Sequence, residues 1–188
     1  FMDLIVKWSE HYPLGQVLFF RGFFGVVIYF FIMPRDRIKN FYYTKRAGLH
    51  FLRCIFGLIA LIAIFIALRN LPLATVVSIS FAAPIFTTIF SILLLNEKVG
   101  FYRWLAVSIG FIGIIVITEP GFGDLNIYYI YPIIFCLGLS YVAIAIRQLS
   151  TTEPVWLIAL NFSILITLAS LFTIPFGWVM PNIQDLVL

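Results

Sequence analysis

Two guanidinium groups sit inside apolar runs of this chain: Arg21 in FFRGFF and Arg53 in FLRCIF. An arginine among apolar neighbours must snorkel to water, pair with an acid, or face a wet cavity where it can bind an anionic group. Arg21 lies about seven residues into its run, about 10 Å deep at 1.5 Å per residue. Its candidate partner is Asp3, on the preceding helix, although Lys7 is the (i, i+4) neighbour of Asp3 and competes for it. Arg53 enters its run from the opposite end, and snorkelling and a cavity-facing role are both open to it.

A second group of polar residues occupies SISFAAPIFTTIFSILLLNEKVG, residues 78–100. Pro84 removes a backbone hydrogen bond and frees the carbonyl four residues back, on Ser80. Ser78, Ser80 and Thr87 are the hydroxyls within a turn of that break. In an apolar helix such a break is tolerated only where neighbours, hydroxyls or water satisfy the freed group. Pro84, Ser80 and Thr87 are therefore expected beside a cavity, as hinge or substrate contact, or as a static kink. Tyr141, Asn161 and Ser163 are further polar residues in apolar runs, suited to a midplane site or to bonds between helices.

Other chemistry lacks its residues. Cys54 and Cys136 show neither disulfide nor metal spacing, and His11 and His50 lie at opposite ends of different runs. There is no triad, no metal-ligand cluster and no phosphate-cradling glycine loop, so no catalytic residue, metal site or cofactor is assigned. A membrane-embedded enzyme would need paired acids or a nucleophile beside a base, and the apolar runs show neither.

The elements that position these residues are membrane helices. The 188 residues are 63% hydrophobic and 11% charged, with mean hydropathy +1.09. A water-soluble domain is about 45–50% apolar and about 25% charged. A span needs about 20 apolar residues, and apolar runs of about that length fall at 14–33, 47–68, 73–95, 102–118, 127–147 and 155–178. The end of an earlier span occupies about 1–8. The chain reads as an internal piece of a longer protein. Gly22, Gly25, Gly110 and Gly113 are expected at close helix contacts.

The connection RDRIKNFYYTKRAG, residues 35–48, carries five basic residues, which the positive-inside rule assigns to the cytoplasm. Alternation then puts Lys98, Arg103 and Arg147 inside as well. The net charge of +4 is thus mainly topological, and no nucleic-acid partner is expected. Residues 3–34 and 143–175 share a pattern of basic residue, proline-bearing connector, apolar run with one early polar residue (Arg21 or Asn161), and closing proline. Five spans separate the two copies, so the second would be inverted, a construction common in secondary transporters.

The order RNLPLA, AAPIFTTIFSILLLNEK, Arg103–Trp104 and GFIG, with FFRGFF upstream, resembles the EamA domain of the drug/metabolite transporter superfamily. The resemblance implies an all-α, polytopic transmembrane helix bundle, part of a ten-helix inverted-repeat (5+5) transporter. By that plan 1–118 is a first repeat with a truncated first helix, 119–126 an external linker, and 127–188 the start of a second repeat. It also implies an integral plasma membrane protein, in the inner membrane if bacterial. Small organic metabolites, amino-acid or nucleotide-like, would move by alternating access, with a proton or counter-solute as driver and a homodimer as an option. Glu97 then becomes a structural or gating residue paired with a base such as Arg103, with Lys7 in a similar role. A membrane-embedded enzyme and a purely structural membrane protein are the alternatives to a transporter.

Overall fold

The structure is a computed structural model and describes residues 12–32, 46–118, 127–176 and 178. Each of the six apolar runs is helical there, and no strand occurs among the described residues. Helix α1 is Leu14–Ile32, α2 Ala47–Asn70, α3 Leu73–Ser80, α4 Ala83–Leu95, α5 Phe101–Thr118, α6 Ile130–Leu149 and α7 Val155–Leu171. Single 3-10 turns, Ile127–Tyr129 and Ile174–Phe176, lie next to α6 and α7. Helices satisfy every backbone group internally, which lipid requires. Leu14–Ile32, Ala47–Asn70, Leu73–Leu95 and Ile127–Leu149 are long and apolar enough to cross a membrane. The chain is an all-α, multi-span membrane helix bundle.

Local chemistry sets the ends. The Asn70 side chain donates to the Ile66 carbonyl at 2.8 Å, meeting one of the orphan acceptors that close α2. At the end of α4, Asn96 takes a left-handed conformation (φ 51°), and the Glu97 amide turns back to the Ser91 carbonyl at 3.3 Å. Asparagine tolerates that conformation better than most residues.

The run 73–95 holds a full break where the sequence suggests a kink. Helix α3 ends at Ser80, Phe81 and Ala82 form a turn, and α4 restarts with Pro84 in its first turn. Proline suits that position, because its missing N–H would have no partner in a first turn anyway.

The chain divides into two compact units: residues 1–54 with 148–188, and residues 55–147. Helix α2 contributes its start to the first and the rest to the second. In the first unit α1 lies antiparallel on α7. A Cβ at Gly15 would meet Thr173, one at Gly22 would meet Thr167, and one at Gly25 would meet Ser163, so numbers rise along α1 as they fall along α7. At Gly22 the obstacles are the Thr167 hydroxyl at 2.5 Å and two backbone atoms, the Thr167 nitrogen at 2.9 Å and the Ser163 oxygen at 3.1 Å. Small residues permit such approach between membrane helices. The other faces of α1, with Phe23, Phe24, Ile28, Phe30 and Phe31, are exposed, as lipid contact requires.

In the second unit α2 is the core element. Ala60, Leu61, Ala63, Ile64, Phe65, Ala67 and Leu68 are buried, and 56% of its span is covered against 22% for α1. Gly138 of α6 packs on Phe56 and Ala60 of α2. Gly110 and Gly113 differ from the expectation: a Cβ at either would meet nothing within 4 Å. They are not packing glycines among the described residues.

Candidate functional site

In the second unit the broken span opens onto a groove of about 790 Å³. Phe81, Ala83, Pro84, Thr87, Thr88 and Ser91 form one wall. Ala106, Gly110 and Phe111 of α5, and Leu139, Ala143 and Arg147 of α6, complete it. The three hydroxyls give their protons to their own helix: Thr87 to the Ala83 carbonyl (2.9 Å), Thr88 to Pro84 (2.9 Å) and Ser91 to Thr88 (2.8 Å). A hydroxyl that has donated keeps lone pairs that accept. The groove therefore offers acceptors on an apolar surface, which suits a solute carrying N–H or O–H donors.

Side chains of α6 reach the carbonyls around the break. The Cys136 thiol lies 3.4 Å from the Ile79 oxygen and 3.7 Å from the Ser80 oxygen, and the Ser140 hydroxyl donates to Ala83 at 2.8 Å. Both side chains are fully buried. Of the partners the sequence leaves open for the Ser80 carbonyl, namely neighbours, hydroxyls or water, the one found near it is a neighbouring helix's thiol, Cys136. The Ser80 hydroxyl instead bonds Val76 at 2.7 Å, one turn back, and Ser80 does not line the groove. Cys136 and Ser140 were legible only as an (i, i+4) polar pair on one helix face, a pattern that acquires meaning when that face meets the break.

Glu97 pairs with Arg147, at 2.6 and 2.9 Å, where the resemblance suggested Arg103. The parallel run of α4 and α6 brings the two ends together. Arg103 stands in the first turn of α5, and its side chain lies outside the described part. The Arg147 side chain is 60% exposed and that of Glu97 30%, so the pair contributes at most about 1 kcal/mol. Tyr141 turns to α2, its ring 4.3 Å from that of Phe56, and is not among the groove residues.

The first unit carries a separate polar cluster. Arg53 is buried, with its guanidinium carbon 4.1 Å from the centre of the Phe162 ring of α7. Its Nε and Nη1 have no hydrogen-bond partner among the described residues. A cation on an aromatic face gains about 2 kcal/mol when desolvated, less than the cost of burying the charge. One turn earlier, His50 Nε2 contacts Glu153 Oε2, both residues buried. Neither His50 nor Glu153 was singled out from the sequence: 103 positions separate them, and each alone reads as a residue at a span end. Asn161 is half-buried on α7, and Arg21 is exposed on α1. Asp3 and Lys7 lie outside the described residues, as do most of the loop 35–48 and the linker 119–126. No group of three or more His, Cys, Asp or Glu suited to a metal occurs among the described residues.

Residues 2–119 match the model of the EamA-like transporter family. The chain belongs to that family. Among similar proteins, an S-adenosylmethionine uptake transporter of Rickettsia prowazekii is 28% identical over 174 residues, covering 92% of this chain and 58% of the relative. A pseudopaline exporter, CntI, of Pseudomonas aeruginosa is 24% identical over 93% of this chain and 60% of its own length. A riboflavin transporter of Vibrio cholerae is 31% identical over 75% of this chain and 48% of its own. The chain thus spans about 60% or less of the length of these relatives. No solved structure matches it. The chain is an integral membrane protein of a transporter family, and these relatives are bacterial.

Proposed function

We propose that this chain forms part of a secondary transporter that moves small organic solutes by alternating access. The observation that carries the reading is the broken span α3–α4: side chains of α6 reach the carbonyls around the break, while Thr87, Thr88 and Ser91 line an open groove. A backbone break is costly against lipid and acceptable where it lines a cavity. Membership of the EamA-like family supports the reading. The relatives' names differ in solute and in direction, so they support transport in general.

For the solute class, Arg53 supports an acidic organic molecule, amino-acid or nucleotide-like, because a buried guanidinium with unmet N–H groups can receive a carboxylate or phosphate. Thr87 and Pro84 are proposed on the solute path, with Thr88 and Ser91 added to them. Asn161, Tyr141, Ser80 and Arg21 are secondary candidates, and Asp3 remains one on the sequence reading. The antiparallel packing of α1 on α7 supports the inverted repeat, since these are the helices the repeat equates. The proposed orientation keeps the loop 35–48 cytoplasmic, from its basic residues, and the boundaries stay at 1–118 and 127–188.

The test is uptake into liposomes by the full-length parent. Labelled S-adenosylmethionine, riboflavin and a mixture of amino acids serve as probes, for wild type and Thr87→Val. Uptake by wild type with altered affinity in Thr87→Val supports the path. Uptake unchanged in Thr87→Val removes the groove from it, and no movement of any probe by inserted wild type counts against this solute class.

A further inference from the structure

The contact between His50 and Glu153 joins the start of α2 to the turn between α6 and α7. That turn is well ordered by its own bonds. The Glu153 amide donates to Leu149 at 2.9 Å, the Thr151 hydroxyl to Gln148 at 2.7 Å, and the Thr152 hydroxyl to Leu149 at 3.2 Å. The carboxylate of Glu153 is thereby presented inward by a stiff loop. A second contact runs alongside, with Arg46 Nη1 donating to the Gln148 carbonyl at 3.5 Å. Two residues at the beginning of α2 therefore grip one short turn.

His50 is 6% exposed and Glu153 7%. The imidazole makes its contact through Nε2, and its buried Nδ1 has no hydrogen-bond partner among the described residues. A purely structural histidine is expected to satisfy both nitrogens. Here one nitrogen is left with no partner among the described residues to fix its state. Imidazole is also the side chain whose ordinary titration falls between pH 5 and 8.

We infer that His50 and Glu153 form a proton-binding clasp, closed when the imidazole holds two protons and loosened when the Nδ1 proton leaves to water. In the closed form Nε2–H of an imidazolium faces a carboxylate, a charge-assisted bond. Loss of the Nδ1 proton keeps the Nε2–H donor but removes the attraction between opposite charges, and leaves a buried carboxylate uncompensated by the ring. Among the described residues, the titratable and charged groups on the elements around the pair include Arg46, just before α2, Arg53 and Cys54 on α2, and Tyr29 of α1, which lies close to Arg53. The turn adds only Glu153, and α7 has no titratable residue. The clasp binds the proton by itself; its use as the coupling step of solute movement rests on the proposed transport function.

The experiment uses the full-length parent in liposomes, with spin labels at Gly48→Cys and Thr151→Cys, both exposed positions. Single-label controls identify signal from native cysteines. The distance distribution is recorded from pH 5.5 to 8.5, for the labelled parent and with His50→Gln or Glu153→Gln added. The expected result is a longer-distance population that at least doubles as pH rises, and that no longer responds to pH in either variant. A distribution that ignores pH in the labelled parent overturns the clasp, and so does a pH response that survives His50→Gln. If His50→Gln fails to insert, the titration of the labelled parent still decides against the clasp when flat, and Glu153→Gln decides when it is not. Uptake of labelled S-adenosylmethionine and riboflavin by the same liposomes separates the two ideas. A pH response without uptake of either leaves the clasp and counts against the transport reading; uptake without a pH response does the reverse.

Discussion

The Cys136 thiol stands 3.4 Å from the carbonyl oxygen of Ile79, on a helix 57 residues earlier in the chain. A buried cysteine is usually a small apolar filler. Here, with Ser140 one turn on, it covers the backbone acceptors of a helix break. Hydrogen bonds between membrane helices contribute about 0.6 kcal/mol on average and about 1.7 at most. Ser140→Ala is therefore expected to lower the unfolding temperature of the detergent-purified parent slightly, and Cys136→Val with Ser140→Ala to lower it further. Thermal unfolding by intrinsic fluorescence checks this. An unchanged temperature in the double variant would mean the break does not depend on α6.

Gly22 and Gly110 should behave oppositely. Gly22→Ala sets a methyl against the Thr167 and Ser163 backbones and should cost about 1–3 kcal/mol, as overpacking does. Gly110→Ala meets nothing within 4 Å and should leave stability unchanged or slightly raised, since alanine suits a helix better. The yield of monodisperse protein and its thermal midpoint distinguish the two.

Arg53 separates stability from function. Arg53→Met replaces a buried guanidinium with an apolar side chain, a change often neutral or stabilising for buried charges by about 1–4 kcal/mol. It should leave the thermal midpoint equal or raised, yet abolish uptake of an acidic solute. Arg53→Lys should insert normally and transport poorly, because an ammonium lacks the planar fork. A stable Arg53→Met protein with full uptake would remove Arg53 from the path.

Exchanging the charges of the exposed pair, Glu97→Arg with Arg147→Glu, should restore whatever either single change loses. The expected loss in each single variant is about 1 kcal/mol or less, read from the thermal midpoint. A coupling well above that would give the pair a larger share in holding the ends of α4 and α6 together.

Much of the architecture was legible in the residues themselves. Six apolar runs became helices close to their expected bounds, because a run of about 20 apolar residues leaves few alternatives to a span. Gly22 and Gly25 were readable as contact points and are so. Gly110 and Gly113 share their spacing and are not, because a glycine marks where approach is allowed, not where a partner arrives. Pro84 announced a broken span, but the two-residue turn ahead of it depends on which carbonyls a neighbour can cover.

Apolar length, charge placement and proline alone determined that this chain crosses a membrane, roughly where each helix runs, and which family it resembles. The tertiary structure decided the partners: Arg147 for Glu97, Cys136 and Ser140 for the break, Glu153 for His50, and Phe162 for Arg53. The physical reason is range. Hydropathy and helix periodicity act over neighbouring residues and can be read along the chain. A hydrogen bond or ion pair needs atoms within about 3 Å, and for residues 50 to 103 positions apart only the packing of helices brings them there.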